Sequence, residues 1–178
     1  VIINCIGAIP QKKPSDERYI DINVNLPIFL ESLGKRIIHP TTDCEFSGDL
    51  DQSEAYTKLH QRDAKDAYGK SKAKISELIE NSFKNTKMIR VSIIGHELSS
   101  NFSFLDWFLN SDGTVNGYND HYWNGVTTLA WAKICSSIIN NWDTVPTLNQ
   151  YATDKNLTKY ELLELIKKLN LVDIKRTI

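Results

Sequence analysis

Val1-Ile2-Ile3-Asn4-Cys5 opens the sequence with an apolar run that does not alternate. Such a run marks a strand buried on both faces rather than one lying on a half-exposed sheet. Short apolar runs recur at residues 36–39 and 88–94. Between the first two, apolar residues at Ile20, Val24, Ile28 and Leu33 repeat at helical spacing after a cap at Asp16. Pro27 is expected to kink or restart that helix and Gly34 to end it. A second helix is expected from about Asp66 to Phe83. Strand, helix, strand, helix, strand in this order predicts an α/β fold whose parallel sheet is joined by crossover helices.

Two connections matter. Residues 7–14 form a loop, and residues 40–65 form a long polar one with turn chemistry at Ser47-Gly48-Asp49. Long loops in compact domains are usually functional. Beyond residue 95 the pattern changes. A short aromatic helix is expected at 104–110, then a turn-rich stretch with Gly113, Gly117 and Gly125, then a helix at 128–141. Thr158-Lys159-Tyr160-Glu161 is a capping box for a last helix reaching about Lys168, and Val172 to Thr177 reads as a further strand. The expected organisation is residues 1–95 as part of a doubly wound domain and 96–178 as part of a smaller substrate-binding region, with some interleaving. Trp107, Trp131 and Trp142 sit at helical positions and are expected in the core. His60 and His121 show no evident carboxylate partner and are expected at the surface.

Composition removes several classes of function. With 178 residues the chain can bury a sizeable core, and 41% hydrophobic against 24% charged residues is incompatible with wholesale disorder. The net charge is -1, and Lys12-Lys13, Lys167-Lys168 and Lys175-Arg176 are isolated pairs, so no nucleic-acid footprint is expected. No apolar run approaches a bilayer span. Cys5, Cys44 and Cys135 are odd in number and far apart, which fits neither a metal site nor a disulfide framework. They read as reduced thiols, and the expected location is the cytoplasm. A chain that begins at Val1 inside a strand-like run is expected to continue a longer one.

Three short stretches could carry chemistry. Tyr68-Gly69-Lys70-Ser71-Lys72 places Tyr68 and Lys72 four apart on one helical face. An ammonium beside a phenol favours the phenolate and would lower the tyrosine's pKa toward neutrality, making Tyr68 a competent general acid. Alone the pair is weak, since 7 tyrosines in a lysine-rich chain give about one such spacing by accident. Thr41-Thr42-Asp43 leaves the second strand where ligands bind in open parallel sheets, and equally serves to cap a turn. Cys5-Ile6-Gly7-Ala8 leaves the first strand with small residues that let a backbone approach a cofactor, or simply exits the strand.

In order and spacing these blocks resemble the extended short-chain dehydrogenase/reductase family, in its branch of sugar-nucleotide reductases similar to dTDP-4-dehydrorhamnose reductase. The match runs from the strand at Val1 through Ile22-Asn23-Val24-Asn25-Leu26-Pro27 and Ile38 to Gly48. It continues through Asp66 to Lys72, Arg90 to Leu98, and Tyr122-Trp123-Asn124-Gly125-Val126-Thr127-Thr128. The resemblance implies a Rossmann-type doubly wound parallel sheet, NAD(P)H as cofactor, and reduction of a 4-keto-6-deoxy nucleotide sugar for cell-surface polysaccharide precursors. It implies Tyr68 as catalytic acid, Lys72 as the group that lowers its pKa and binds the nicotinamide ribose, and Thr42 as the third member. Cys5, Ile6, Gly7 and Ala8 would line the cofactor. Thr42, Asp43, Ser92, His96, Trp123 and Asn124 would border the substrate. It also implies a homodimer through the helices near 17–33 and 66–83.

The sequence departs from the family at Pro40, where a small apolar residue is usual, at Thr41, usually serine, and at Glu45, usually valine. The family's glycine-rich pyrophosphate turn has no counterpart here, since Gly7 is the only glycine before Gly34. Residues 1–178 alone are therefore expected to be inactive. Two other readings stay open: an epimerase or dehydratase of the same fold, and a non-catalytic sugar-nucleotide-binding protein.

Overall fold

The computed structural model describes residues 1–51 and 54–169; the strand expected over Val172 to Thr177 lies outside these residues. The described chain divides into two units. The first comprises residues 1–91 and 133–151, so a segment from the C-terminal half returns to it, and the second comprises residues 92–132 together with the chain from 152 onward.

The first unit is built on four parallel strands, β1 (Ile2–Ile3), β2 (Ile37–Thr41), β3 (Thr86–Arg90) and, further along the chain, β7 (Leu148–Gln150), in the order β1-β2-β3-β7. The register pairs Ile2 with Ile37, Ile37 with Thr86, and Met88 with Leu148. Helices α1 (Asp16–Ile20), α2 (Leu26–Ser32) and α3 (Ala67–Ser82) supply the crossovers, and α3 packs against both α1 and β3. Ile75 and Ile79 of α3 bury against Met88 of β3 and Leu148 of β7, with Leu78 and Phe83 at the edge of the cluster. This is the parallel α/β architecture that the alternation of strands and helices predicts.

Three local expectations are corrected. Among the described residues β1 pairs with β2 alone, and Val1 and Ile3 are exposed rather than buried. The cap of α1 is Ser15, whose hydroxyl accepts the Arg18 N–H, and Asp16 is the first helical residue. Between α1 and α2 the chain widens into a π turn over Asp21–Asn25, where the Leu26 N–H reaches Asp21 O. Pro27 offers no N–H and its ring crowds the carbonyl four residues back, so the ladder loosens before it and the helix restarts as α2 with Pro27 in its first turn, as expected. β2 runs on through Pro40 and Thr41 instead of stopping at His39. The alternation of its hydrogen bonds explains how a proline fits. Ile38 O accepts from Asn4 on the β1 side, while the Ile37 N–H donates to Asn85 on the β3 side. Pro40 therefore faces the β1 side, beyond the last β1 residue, where its missing N–H breaks no ladder bond.

The second unit holds β4 (Ile93–Ile94), α4 (Phe104–Asn110), β5 (Tyr122–Trp123), β6 (Val126–Thr127), the start of α5 (Thr128–Asn140), β8 (Leu157–Thr158) and α6 (Lys159–Lys168). β4 pairs with β6 in parallel and β5 with β8 antiparallel. Phe108 and Leu105 of α4 pack with Leu162, Leu163 and Ile166 of α6. Thr158 and Glu161 form both halves of the expected capping box. Trp142 is buried, but Trp107 is exposed, and His121 has a carboxylate partner after all in the adjacent Asp120, 2.8 Å away.

Glu31 at the end of α2 fastens the start of β3. Its carboxylate accepts from the Lys84 N–H (2.8 Å), the Asn85 N–H (2.9 Å) and side-chain amide (3.0 Å), and the Thr86 hydroxyl (2.8 Å). Burial raises its pKa, but these hydrogen bonds outweigh that and hold it below the ordinary 4.5. A depressed carboxyl contributes stability that is present above its unfolded pKa and lost as pH falls through the folded one. Glu31→Ala should therefore cost about 1–3 kcal/mol at pH 7. In urea melts the wild type's margin over this variant should shrink as pH drops below 4.5.

Candidate functional site

The carboxyl end of β2 is the natural place for a ligand in an open parallel sheet. There Thr42 caps a 3₁₀ turn over Asp43–Glu45, its hydroxyl accepting the Cys44 N–H at 3.1 Å and donating to Asp43 Oδ1 at 3.1 Å. The N-terminus of α3 comes directly against this turn. Asp66 caps it by accepting the Gly69 N–H at 2.7 Å. A Cβ built on Gly69 would lie 2.2 Å from Cys44 O and 2.6 Å from Ala64 Cβ, so only glycine allows this approach. As a result Tyr68, half-buried at the start of α3, comes close enough to the turn for the Thr42 hydroxyl to act on its phenol.

Lys72, one turn further along α3, is buried, and its ammonium donates to Pro40 O at 2.7 Å. This is the carbonyl that the strand alternation leaves without a sheet partner. Burial pushes the Lys72 pKa down to about 8, against the opposing pull of Glu45. The expectation that Lys72 lowers the pKa of Tyr68 is not met. Tyr68 is instead raised well above its ordinary value, first by burial and then by the nearby Cys44, Asp43 and Tyr19, with only Thr42 drawing it down. The lysine's hydrogen bond goes to the strand carbonyl rather than to the phenol, and the phenol stays protonated.

The cofactor-side expectation concerns Cys5, Ile6, Gly7 and Ala8. The first three are exposed and Ala8 is buried. A Cβ on Gly7 would meet nothing closer than 3.9 Å, so the strip is open above its backbone. Small and apolar residues are thus presented openly at the carboxyl end of β1, while the buried Lys72 ammonium of α3 reaches Pro40 O on the neighbouring strand.

Three buried polar groups that the sequence reading assigned no role hold this region together. Asn23, in the π turn, accepts the Ala8 N–H at 2.9 Å and donates to Ala8 O at 3.1 Å and to Ser71 Oγ at 3.0 Å. Ser71 in turn donates to Tyr68 O at 2.7 Å. Asn4 accepts the Ile6 N–H at 3.0 Å and donates to His39 Nδ1 at 3.2 Å, which places the imidazole proton on Nε2. His39 is fully buried, and burial followed by the charge of Lys72 holds its pKa well below 6.5. Glu45 is the third. Asn4 and Asn23 showed in sequence only as polar residues inside apolar periods, and Glu45 only as a departure from the family's usual valine.

The remaining expected residues lie in the second unit. Ser92 Oγ accepts the Trp123 indole N–H at 2.8 Å, and Asn124 donates to Asn156 Oδ1 at 3.1 Å. His96 Nδ1 lies 2.7 Å from Asp106 Oδ1. The Asp106 carboxyl is held below its ordinary range, chiefly by the Glu97 N–H. Thr42, Asp43, Tyr68 and Lys72 thus gather around one turn of the first unit. Ser92 and Trp123 form a separate pair, and the side chains of His96 and Asn124 are engaged by neighbours in their own unit.

A family model described as the RmlD substrate binding domain matches residues 24–175. No curated protein matches the sequence. Among solved structures, the chain is similar to a dTDP-4-dehydrorhamnose reductase from Clostridium acetobutylicum, with a TM-score of 0.81 and 20% identity over 99% of this chain and 64% of that one. A dTDP-4-dehydrorhamnose reductase from Bacillus anthracis in complex with NADP gives 0.80 and 15% over 98% and 64%. A dTDP-glucose 4,6-dehydratase from Bacillus anthracis in complex with NAD gives 0.70 and 15% over 99% and 61%. The chain spans less than two thirds of the length of each, and at these identities the likeness is one of fold.

The depressed pKa of Lys72 has a measurable consequence. The folded state holds this proton less tightly than the unfolded chain, so the cost of the charged form is fully present below about pH 8. It fades as pH rises toward the ordinary 10.5. The stability difference between wild type and Lys72→Met should therefore move in favour of wild type across that window and be flat below it. Denaturant melts from pH 6 to about 10.5 would show this, and a flat difference throughout would place Lys72 in water.

Proposed function

The chain belongs to the RmlD substrate binding domain family, and from that premise we propose that it is the acid–base part of an NAD(P)H-dependent reductase of a 4-keto-6-deoxy nucleotide sugar. The observation that carries this reading is the packing of the start of α3 against the Thr42 turn at the carboxyl end of β2, with Lys72 buried one helical turn beyond Tyr68 and bonded to Pro40 O. The bound nicotinamide would supply the hydride to the sugar ketone. Tyr68 then donates its proton to the oxygen that becomes an alkoxide. Burial holds the phenol neutral, so it carries the proton that this step requires. Thr42 orients the ketone oxygen by hydrogen bonding. Lys72 holds a positive charge beside the ribose hydroxyls and the phenol. Cys5, Ile6, Gly7 and Ala8 form the open strip against which the nicotinamide lies.

A dehydratase needs a second acidic group beside the tyrosine, and one observation weighs against it. Asp43 is an exposed carboxylate next to Thr42, but the next acidic residue, Glu45, is fully buried and ion-paired. Support for a homodimer is one-sided. Ile20, Ile28, Phe29 and Leu33 of the first helical segment are exposed, whereas the exposed positions of α3 include Lys70, Lys74, Glu77 and Glu80. No helix among the described residues is long and apolar enough to cross a membrane.

The test is to mix the full-length protein with NADPH or NADH and 4-keto-6-deoxy nucleotide sugars, following nicotinamide absorbance. Tyr68→Phe should lower kcat by about 10²–10⁴ with little change in KM. A variant that turns over at the wild-type rate would remove Tyr68 as the acid. Interconversion of sugar epimers without net oxidation of the cofactor would favour an epimerase.

A further inference from the structure

Glu45 is the charged residue that the family resemblance leaves unexplained, and its surroundings are unusual for a carboxylate. It is fully buried at the end of the turn that carries Thr42 and Asp43. Four donors from four parts of the first unit converge on it. Thr41 of β2 donates to Oε1, as does Ser76 of α3 at 2.5 Å. Arg62 of the long loop donates to Oε2 at 2.6 Å, and Arg90 of β3 donates to the same oxygen at 2.7 Å. The cations are held in turn: Arg62 also pairs with Glu80 of α3, while Arg90 donates to Gln150 of β7 at 3.1 Å and lies over the Phe46 ring at 4.9 Å. Each carboxylate oxygen is thereby met by two donors.

The position of this knot gives it meaning. Ser76 lies one helical turn beyond Lys72 and two beyond Tyr68, so Glu45 grips the helix that carries both. Thr41, its partner on β2, sits between the Pro40 carbonyl that receives Lys72 and the Thr42 hydroxyl that meets Tyr68. We propose that Glu45 is a positioning residue that fixes the Thr42 turn against α3 and supplies the negative charge balancing the buried Lys72. Its catalytic meaning rests on the reductase reading above; its electrostatic role does not.

Burial drives Lys72 toward the neutral amine, and Glu45 is the group that opposes it. The other titratable and charged groups of this region are His39 on β2, held neutral, Tyr68 and Glu80 on the same helix, Asp43 and Cys44 in the turn, Arg90 on β3 and Arg62 on the loop. The two arginines carry the same sign as Lys72 and disfavour its charge. Glu45 therefore both neutralises them and pulls Lys72 toward the ammonium, and the site holds a net charge that depends on one carboxylate.

The experiment follows the Lys72 side chain by NMR in full-length protein labelled at lysine Cε, with Lys72→Arg assigning the signal. Neither substrate nor cofactor is needed, so the outcome is separate from whether the reductase assay succeeds. In wild type the midpoint should lie near about 8. Glu45→Gln keeps the shape and removes the charge, and should lower that midpoint by on the order of one pH unit. Arg62→Gln should raise it, because removing one cation leaves Glu45 less compensated. Arg62 comes from the loop at the rim of the knot, so this variant decides the question if Glu45→Gln does not fold. Midpoints unchanged in every variant that folds, or raised by Glu45→Gln, would overturn the proposal. In an active enzyme the alkaline limb of the kcat profile should move in the same directions, which a merely structural role would not produce.

Discussion

The closeness of α3 to the turn after β2 is the constraint from which the site follows. Gly69 lies against Cys44 O with no room for a methyl group, so the helix axis is fixed relative to the strand end. Once that contact is made, helical geometry determines the rest. Tyr68 falls beside Thr42, Lys72 beneath Pro40, Ser71 beside Asn23, and Ser76 beside Glu45. One steric contact thus converts a sequence interval into a set of side chains around a strand end. Any residue larger than glycine would displace several of these contacts together.

The elements were legible because their signals are local. Apolar periodicity marked the strands and helices, and the capping box at Thr158 and Glu161 survives intact in the structure. Tyr68, Lys72 and Thr42 could be named from spacing and from family resemblance, and Lys72 proves to be buried against Pro40 O. The polar residues beneath them could not be read in the same way. Asn23 finds Ser71 across 48 positions, His39 finds Asn4 across 35, and Glu45 finds Arg90 across 45. A buried polar side chain is defined by partners that local pattern does not contain, so in sequence it looks like an interruption. The same limit misled the electrostatics: helical spacing suggested that Lys72 would lower Tyr68, but spacing carries no information about the Pro40 carbonyl or about desolvation.

Burial of this many polar groups also shapes how the first unit tolerates change. Removing one member of a satisfied ionic network leaves its partners uncompensated in the interior, which is more damaging than never having had the network. Glu45, Arg62 and Arg90 are therefore coupled, and substitutions among them should be strongly non-additive. His39 shows a related economy. It stays neutral beside a buried cation, with its Nδ1 lone pair used by Asn4. A second positive charge at that depth would compete with Lys72 for the same surroundings.

The amide of Asn23 engages both backbone groups of Ala8, much as a neighbouring strand would. A loop held this way has already surrendered its conformational freedom during folding. On the reading proposed above, a ligand at the Cys5–Ala8 strip would meet a surface held in advance at Ala8, so little ordering entropy would be lost on association. For the same reason the strip cannot adapt widely to molecules of different outline. Selectivity at that edge would then come from rigidity, as rejection of what does not lie flat, rather than from contacts formed after binding.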